Sequence, residues 1–556
     1  MSRPKILSRR EVLVAGGTLA ASAAFVPSAW GRLTARTAAV GPGTFADGVA
    51  SGEPTADGVT LWSRLTTDAP RSGAELVVCR DEALTQTVAT AVVPTTDGID
   101  HALKLRVTGL EPSTHYFYKW RSADGESVTG RTKTAPPADS DQALRIAYAS
   151  CSNFPAGFFN GYHDAAAQDL DLLVFLGDYI YEYAPGDYDS NHVRDTSTAA
   201  IDVASYRTKY QLYRQDPALR ELHRLHPMDA IWDDHEVADN YTDDNPRPSD
   251  LQRTAGYRVN FEWIPRMTMR DDRFRLYKTL NYGRMADLVL IDERQYRRGQ
   301  GMNNGGQGKT MLGARQLAWF QGQLKASKAR WKLVANEVQF TPLLSPVDGA
   351  AFSDDAWDGF PAERQQLLQT VQQVNAADTA HGGNVLFLTG DIHTYEANQV
   401  LAGNNGRSGA QIASEFVGGS ISSPGLTGEN ALIDTAIMAT NPWIKQFNGA
   451  VHGYTLLDLS AGEARIRYRT SDITKRDSPS TTMYEYVQEV GTNTFSATSS
   501  SSLRNAPTPV APTSFPAAAA ATRQLAARRL RFDAAYREGL TRRLAQITAT
   551  PSRRSR

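Results

Sequence analysis

Hydrophobic positions fall into three regimes along the chain. Over residues 45–135 they form short runs, such as Val59-Thr60-Leu61-Trp62 and Glu75-Leu76-Val77-Val78-Cys79, separated by Gly, Asp, Pro and Thr turns. Runs of that length between turn residues predict β-strands. Pro136-Pro137-Ala138-Asp139-Ser140-Asp141 then reads as a domain boundary. Over 142–490, strand-like runs at Leu144–Ala149, Leu172–Leu176, Asp229–Trp232, Met285–Ile291, Lys332–Glu337, Val385–Leu388 and Gly453–Leu457 alternate with helical segments such as Gly313–Lys325 and Pro361–Asn375. That alternation predicts an α/β domain whose functional residues sit on loops at strand ends. Residues 491–516, rich in Ser, Thr, Ala and Pro, predict a linker. Beyond it, Leu525, Phe532, Tyr536, Leu540, Leu544 and Ile547 mark one face of a helix over 517–549, with arginines on the rest.

Charge sharpens this picture. The net charge of −1 conceals ten arginines against only Asp533 and Glu538 in residues 516–556, and a basic start holding Arg3, Lys5, Arg9 and Arg10. The body between is therefore acidic, which suits a protein that holds metal cations. No global basic field points to nucleic acid. Hydrophobic residues at 41% and charged residues at 21% exclude a disordered, collagen-like or multi-spanning chain. Two cysteines exclude a disulfide framework and a four-thiolate zinc site. At the start, Arg9-Arg10 precede the apolar stretch Val14–Val26. That stretch is too short to span a bilayer and resembles a twin-arginine export signal within a processing region of 1–39. The plainer alternative is a general secretory signal with a chance arginine pair. Either predicts a secreted or cell-wall-associated protein, with no transmembrane segment in its mature form. Gly109-Leu110-Glu111-Pro112-Ser113-Thr114-His115-Tyr116 resembles the turn-and-strand signature of fibronectin type III domains, in which a Leu and a Tyr fix the corner entering a strand.

Polar residues cap the predicted strands of 142–490 in order. Ser150-Cys151 follows the first, Gly177-Asp178-Tyr179-Ile180-Tyr181 the second, and Asp233-Asp234-His235-Glu236 the third; Asn336 stands near the end of a later one, and Gly390-Asp391-Ile392-His393 follows the next. A single carboxylate there is commonly a turn or helix cap. Five in succession, each of a metal-ligating type, point to a metal site. Gly308-Lys309-Thr310 is a decoy, because the first glycine of a phosphate loop would fall at Asn303. Cys79, in a strand of the N-terminal region, reads as a small buried hydrophobe.

The constellation resembles the calcineurin-like binuclear metallophosphoesterases, specifically the alkaline phosphatase D branch. Trp232-Asp233-Asp234-His235-Glu236 and Asp355-Ala356-Trp357-Asp358-Gly359 extend the resemblance, which covers about residues 45–490. It implies an N-terminal fibronectin type III-like β-sandwich over 45–135, followed by a four-layer α/β/β/α catalytic domain over 142–490. It also implies metal ligation by Cys151, Asp178, Tyr181, Asp234, Asn336, Asp391 and His393, with Asp178 bridging two ions and His235 beside them as a catalytic residue. Tyr179 and Tyr183 compete with Tyr181, and spacing alone does not decide. Thiolate and phenolate donors suit Fe³⁺, and an all-oxygen site suits Ca²⁺. Arg294, Arg297 and Arg298 follow a strand; any of them could reach a phosphate, and each taken singly reads as solvated surface.

The expected function is an exported phosphoesterase, monomeric, acting on phosphomonoesters and phosphodiesters. The alternative is a secreted phospholipase D using the same metals on a phospholipid such as phosphatidylcholine. The ordinary His-x-Lys motif of that activity is absent, since none of the ten histidines has Lys two residues on. A third reading is an inactive scaffold or adhesion protein, which the complete ligand set opposes. The basic C-terminal helix has two candidate partners, the acidic body of the enzyme and an anionic phospholipid surface.

Overall fold

All five side chains of Leu172–Leu176 are buried, and they divide between two cores. Leu172, Val174 and Leu176 join one; Leu173 and Phe175 join another. A strand covered on both faces reads as an unbroken apolar run, because neither face meets water. The parallel neighbours Leu144–Ala149 and Pro227–Ile231 share this plan. The computed structural model describes residues 39–184, 194–195, 197–244, 248–299, 308–427 and 431–498. The export signal and the C-terminal helix expected from the sequence lie outside them.

Those three strands are the centre of a ten-stranded sheet. His452–Leu459, Glu463–Ser471, Thr481–Glu489 and Phe495–Ala497 extend it on one side; Val49–Thr55, Gly58–Arg64 and Ala102–Thr108 extend it on the other. A second sheet runs in the order Lys278–Tyr282, Ala286–Leu290, Trp331–Asn336, Val385–Thr389, Ser408–Gly418, Tyr395–Gly403, Ile444–Asn448. Its middle is parallel. One apolar core holds residues of both sheets, among them Ile146, Val174, Leu288, Leu333 and Leu388. A second joins the ten-stranded sheet to the helices Asn160–Ala166, Val203–Tyr213, Pro217–Leu225 and Asp250–Trp263. A third joins the seven-stranded sheet to Gly313–Ala326 and Pro361–Ala377. Local sequence starts these helices: Asp216 accepts N–H bonds from Ala218 and Leu219 just ahead of Pro217, and Asp202 forms a capping box with Ser205.

The strands of the N-terminal region divide between two sheets. A four-stranded sheet, Thr87–Thr96, Arg71–Cys79, His115–Arg121 and Gly130–Lys133, packs through Leu76, Val78, Tyr118 and Trp120 on Val49, Leu61 and Leu103. Those partners lie on strands of the ten-stranded sheet, and Val49–Thr55 pairs parallel with Pro227–Ile231. Trp62, from the same strands, donates its indole N–H to Glu262 O at 2.8 Å, and Lys104 Nζ donates to Phe261 O and Arg266 O at 2.5 and 2.9 Å. Alternation marks these residues as strands but carries no information about which sheet they join. The predicted corner is present: Glu111 N–H donates to Tyr116 Oη at 2.8 Å.

The region read as linker from 491 also begins as structure. Phe495–Ala497 pairs with Thr481–Glu489, and the Phe495 ring lies 5.2 Å from Phe416 and 5.6 Å from Tyr486. One aromatic residue within a polar tract suffices to anchor an edge strand.

Candidate metal centre

Parallel strands present side chains at their C-terminal ends. Cys151 follows Leu144–Ala149, Asp178 follows Leu172–Leu176, Asp234 follows Pro227–Ile231, Asn336 ends Trp331–Asn336, and Asp391 and His393 follow Val385–Thr389. Donor atoms of Cys151, Asp178 and His393 lie within 4.8 Å of one another, and so do those of Asp178, Asp234 and His235. Asp178 belongs to both groups. The first group draws on both sheets, so the site straddles their seam.

The backbone is strained at four of the residues expected to bind metal. Cys151, Asp178, Asp391 and His393 have φ of 60°, 54°, 64° and 58°. Left-handed backbone at residues other than Gly costs on the order of 1–3 kcal/mol each and persists only where the surroundings impose it. Here Cys151 N–H donates to Gly177 O at 3.1 Å and Ser152 N–H to Asp178 O at 2.9 Å. The buried Glu236 carboxylate accepts the N–H groups of Asp178, Tyr179 and Asp233 at 3.1, 2.7 and 2.9 Å. Gly177, at φ +96°, allows the two loops to touch: a Cβ there would lie 2.4 Å from Asp233 Cβ.

The three tyrosines separate by position. Tyr181 Oη donates to Asp178 Oδ2 at 2.9 Å and lies 3.2 Å from His393 Nε2. Tyr179 Oη points instead to His223 Nε2, 2.8 Å away. The Tyr183 ring packs 5.2 Å from that of His235. His235 Nδ1 lies 2.8 Å from Glu182 Oε2, and the other Glu182 oxygen accepts Asp239 N–H at 2.9 Å. Asn336 donates to Thr389 Oγ1 at 3.0 Å, and its Oδ1 accepts Trp357 Nε1–H at 3.3 Å.

Arg294 and Arg297 are not solvated. Both are fully buried and both pair with Asp355, at 2.8 and 2.5 Å. Arg294 also pairs with Asp233 and lies 3.4 Å from Asp391 and 3.8 Å from Asp234. Only Arg298 of the three is exposed, paired with Asp243 at the surface. Glu182, the role of Glu236 as acceptor of three loop N–H groups, and these arginine pairings escaped the sequence reading. The available signal was weak: Glu182 is an acid on the Asp178 loop, and a carboxylate beside an imidazole commonly orients it.

The electrostatics favour cations. Burial pushes the Asp178 and Asp391 carboxyls well above the usual carboxylate range; Asp234 and Asp233 add to the first, Asp233 and Asp355 to the second. Burial, reinforced by the charge of Asp178, also raises the Cys151 thiol. Burial pushes His393 down to about 3, which keeps it neutral and fit to ligate. His235 goes the other way: Asp234, Glu182 and Asp178 outweigh its burial and hold it well above the usual imidazole value. So many buried acids ionise together only if further positive charge joins Arg294. Ligands bound to one ion at about 2.0–2.3 Å stand about 3 Å apart, and the Tyr181–Asp178 and Tyr181–His393 separations match that.

The family model of the PhoD-like phosphatase matches residues 146–468, and that of the PhoD-like phosphatase N-terminal domain matches 31–136. Alkaline phosphatase D of Bacillus subtilis (strain 168) is 31% identical over 460 residues, 76% of this chain and 77% of that protein. A solved structure of PhoD superposes with a TM-score of 0.76 at 29% identity, covering 85% of this chain and 94% of that one. Purple acid phosphatase PPD1 from yellow lupin (Lupinus luteus) seeds shares the fold at 13% identity, with a TM-score of 0.52 and coverage of 78% and 74%. The protein is a phosphoric ester hydrolase, metal dependence follows from its kinship, and the chain belongs to the PhoD-like phosphatase family.

Proposed function

We propose that this chain is an exported hydrolase of phosphomonoesters and phosphodiesters that uses a mixed pair of metals. The observation that carries the reading is the sharing of Asp178 between two donor groups at the strand ends, as a two-metal site requires. We assign Cys151, Asp178, Tyr181 and His393 to Fe³⁺, for their anionic sulfur and oxygen donors. From the second group we assign Asp178 and Asp234 to Ca²⁺ and keep His235 as a proton donor; Asn336 and Asp391 complete that all-oxygen set on the family resemblance alone. Export rests on Arg9-Arg10 and Val14–Val26, and the three apolar cores support a four-layer α/β/β/α reading.

When bound, the metals supply the positive charge that draws in phosphate oxygens and the Lewis acidity that activates water. The protein's own groups complete the site. Asp178 ties the two donor groups together, and Tyr181 would hold the iron as a phenolate, its proton, now donated to Asp178 Oδ2, having passed to solvent. His235 is the proton donor to the leaving alkoxide, through Nε2, while Nδ1 stays with Glu182 at 2.8 Å. Arg294 is buried among Asp233, Asp355 and Asp391, so its task is to hold the acids in place rather than to reach the phosphate.

The test is hydrolysis by the purified mature protein of a phosphomonoester, a simple phosphodiester and phosphatidylcholine vesicles, side by side. Turnover of the first two is expected, suppressed by a calcium chelator and restored by Ca²⁺. Turnover of phosphatidylcholine alone would replace this reading with the phospholipase D one. No turnover of any substrate by the metal-loaded protein would refute both.

A further inference from the structure

The segment Gly418–Pro424 leaves the strand Ser408–Gly418 and runs across the proposed iron ligands. Ile421 N–H donates to Ser150 O at 3.0 Å, and the N–H groups of Ser422 and Ser423 donate to Cys151 O at 3.3 and 3.2 Å. His393 Nδ1–H donates to Pro424 O at 3.0 Å, which turns Nε2 toward Tyr181. Ser423 Oγ lies 2.6 Å from Tyr181 Oη and 2.9 Å from Cys151 O. One short strap therefore touches Cys151, Tyr181 and His393.

The strap is itself clamped. Gly419 has φ +73°, and a Cβ there would come within 2.5 Å of the Tyr395 ring. Ser420 Oγ donates to Ser423 O at 2.7 Å, and Gly453 N–H donates to Ser420 O at 2.8 Å. Ser423 is fully buried.

Ser423 has one proton and two acceptors within reach. While Tyr181 is a phenol donating to Asp178, the Cys151 carbonyl is a good partner for that proton. Once Tyr181 is a phenolate, its charged oxygen becomes the stronger acceptor, because hydrogen bonds to ionised groups are roughly twice as strong. We propose that Ser423 is a positioning residue for Tyr181, donating its hydroxyl proton to the phenolate in the metal-loaded enzyme and thereby tuning and retaining the metal. This rests on the assignment of Tyr181 to the iron. Partners of this kind commonly change metal affinity by about 10–100-fold.

The test compares the full metal-loaded protein with Ser423→Ala and Ser422→Ala. Ser422 is the control: it is equally buried on the same strap, but its hydroxyl donates to Asn153 O at 2.7 Å and not to a ligand. In Ser423→Ala the visible phenolate-to-iron band should move to longer wavelength, since a phenolate without its hydrogen bond is the better electron donor. Iron loss to a chelator should become at least about tenfold faster, because the loss of the bond that holds the ring in place outweighs the stronger donation of the bare phenolate. Ser422→Ala should leave both unchanged. An unshifted band with unchanged metal loss in Ser423→Ala, or equal effects in the two variants, would overturn the proposal. A colourless wild-type protein would instead refute the iron assignment; the rate of loss of whichever metal is bound then decides the role of Ser423 by itself.

Discussion

His235 shows how much of its chemistry a residue owes to neighbours that carry no motif. Alone it is an imidazole beside a proposed metal ligand; Glu182, 2.8 Å from Nδ1, keeps the proton there and leaves the Nε2 proton as the one to give. His235→Ala should lower kcat by about 10²–10⁴-fold, with metal content nearly unchanged; loss of metal would make it a ligand instead. Glu182→Gln should lower kcat in the same direction, more for substrates with poor leaving groups than for activated esters, because only the former need the proton. Steady-state kinetics across a leaving-group series checks both. At this scale the proposed ligands could be picked out from the sequence, since Cys151, Asp178, Asp234, Asp391 and His393 are of ligating types at strand ends. Their supports were not: Glu182, Glu236 and Ser423 are ordinary loop residues whose roles depend on distances of less than 3.2 Å across the fold. Arg294 misled for the same reason, since nothing in its local sequence shows that it lies buried among four carboxylates.

Among the elements, the buried parallel strands were the most legible. Leu144–Ala149 and Leu172–Leu176 coincide with their apolar runs, because cover on both faces makes nearly every position apolar, Arg145 excepted. The joints between strand and site were less so, being made of backbone conformation. Gly177→Ala tests one of them. Its φ of +96° and the 2.4 Å approach of a Cβ to Asp233 combine strain with a clash between two ligand loops. Gly109→Ala is the comparison, with φ +78° but nothing within 4 Å. Strain alone should cost Gly109→Ala about 1–3 kcal/mol. Gly177→Ala should cost more and release metal as well, as measured by denaturation and metal analysis; equal losses in the two would show that the loop contact at Gly177 is immaterial.

The whole molecule is bound together by strands that the chain contributes before its catalytic region begins, and Lys104 lies at that joint. Burial, helped by Arg266, pushes its ammonium down to about 7 from an ordinary 10.5. The unfolded chain therefore binds more protons than the folded one between those values, and stability rises with pH across that window. Above 10.5 Lys104 contributes no penalty; the penalty grows as pH falls toward 7 and is constant below. Denaturation of wild type and Lys104→Met from pH 7 to 10 should show that rise in the wild type and its absence in the variant. An unchanged slope would show that Lys104 stays charged in the fold. The joint was invisible in the sequence, because strand alternation does not encode the partner sheet. The central claim, that a thiolate, a phenolate, an imidazole and a shared carboxylate make this phosphoesterase an iron enzyme, is tested most directly by metal analysis of wild type and Cys151→Ala purified in parallel. The account predicts about one iron per chain in the wild type, as one mixed-donor site allows, and its loss in Cys151→Ala together with the visible band and hydrolysis. A Cys151→Ala protein that keeps its iron and its activity would contradict it.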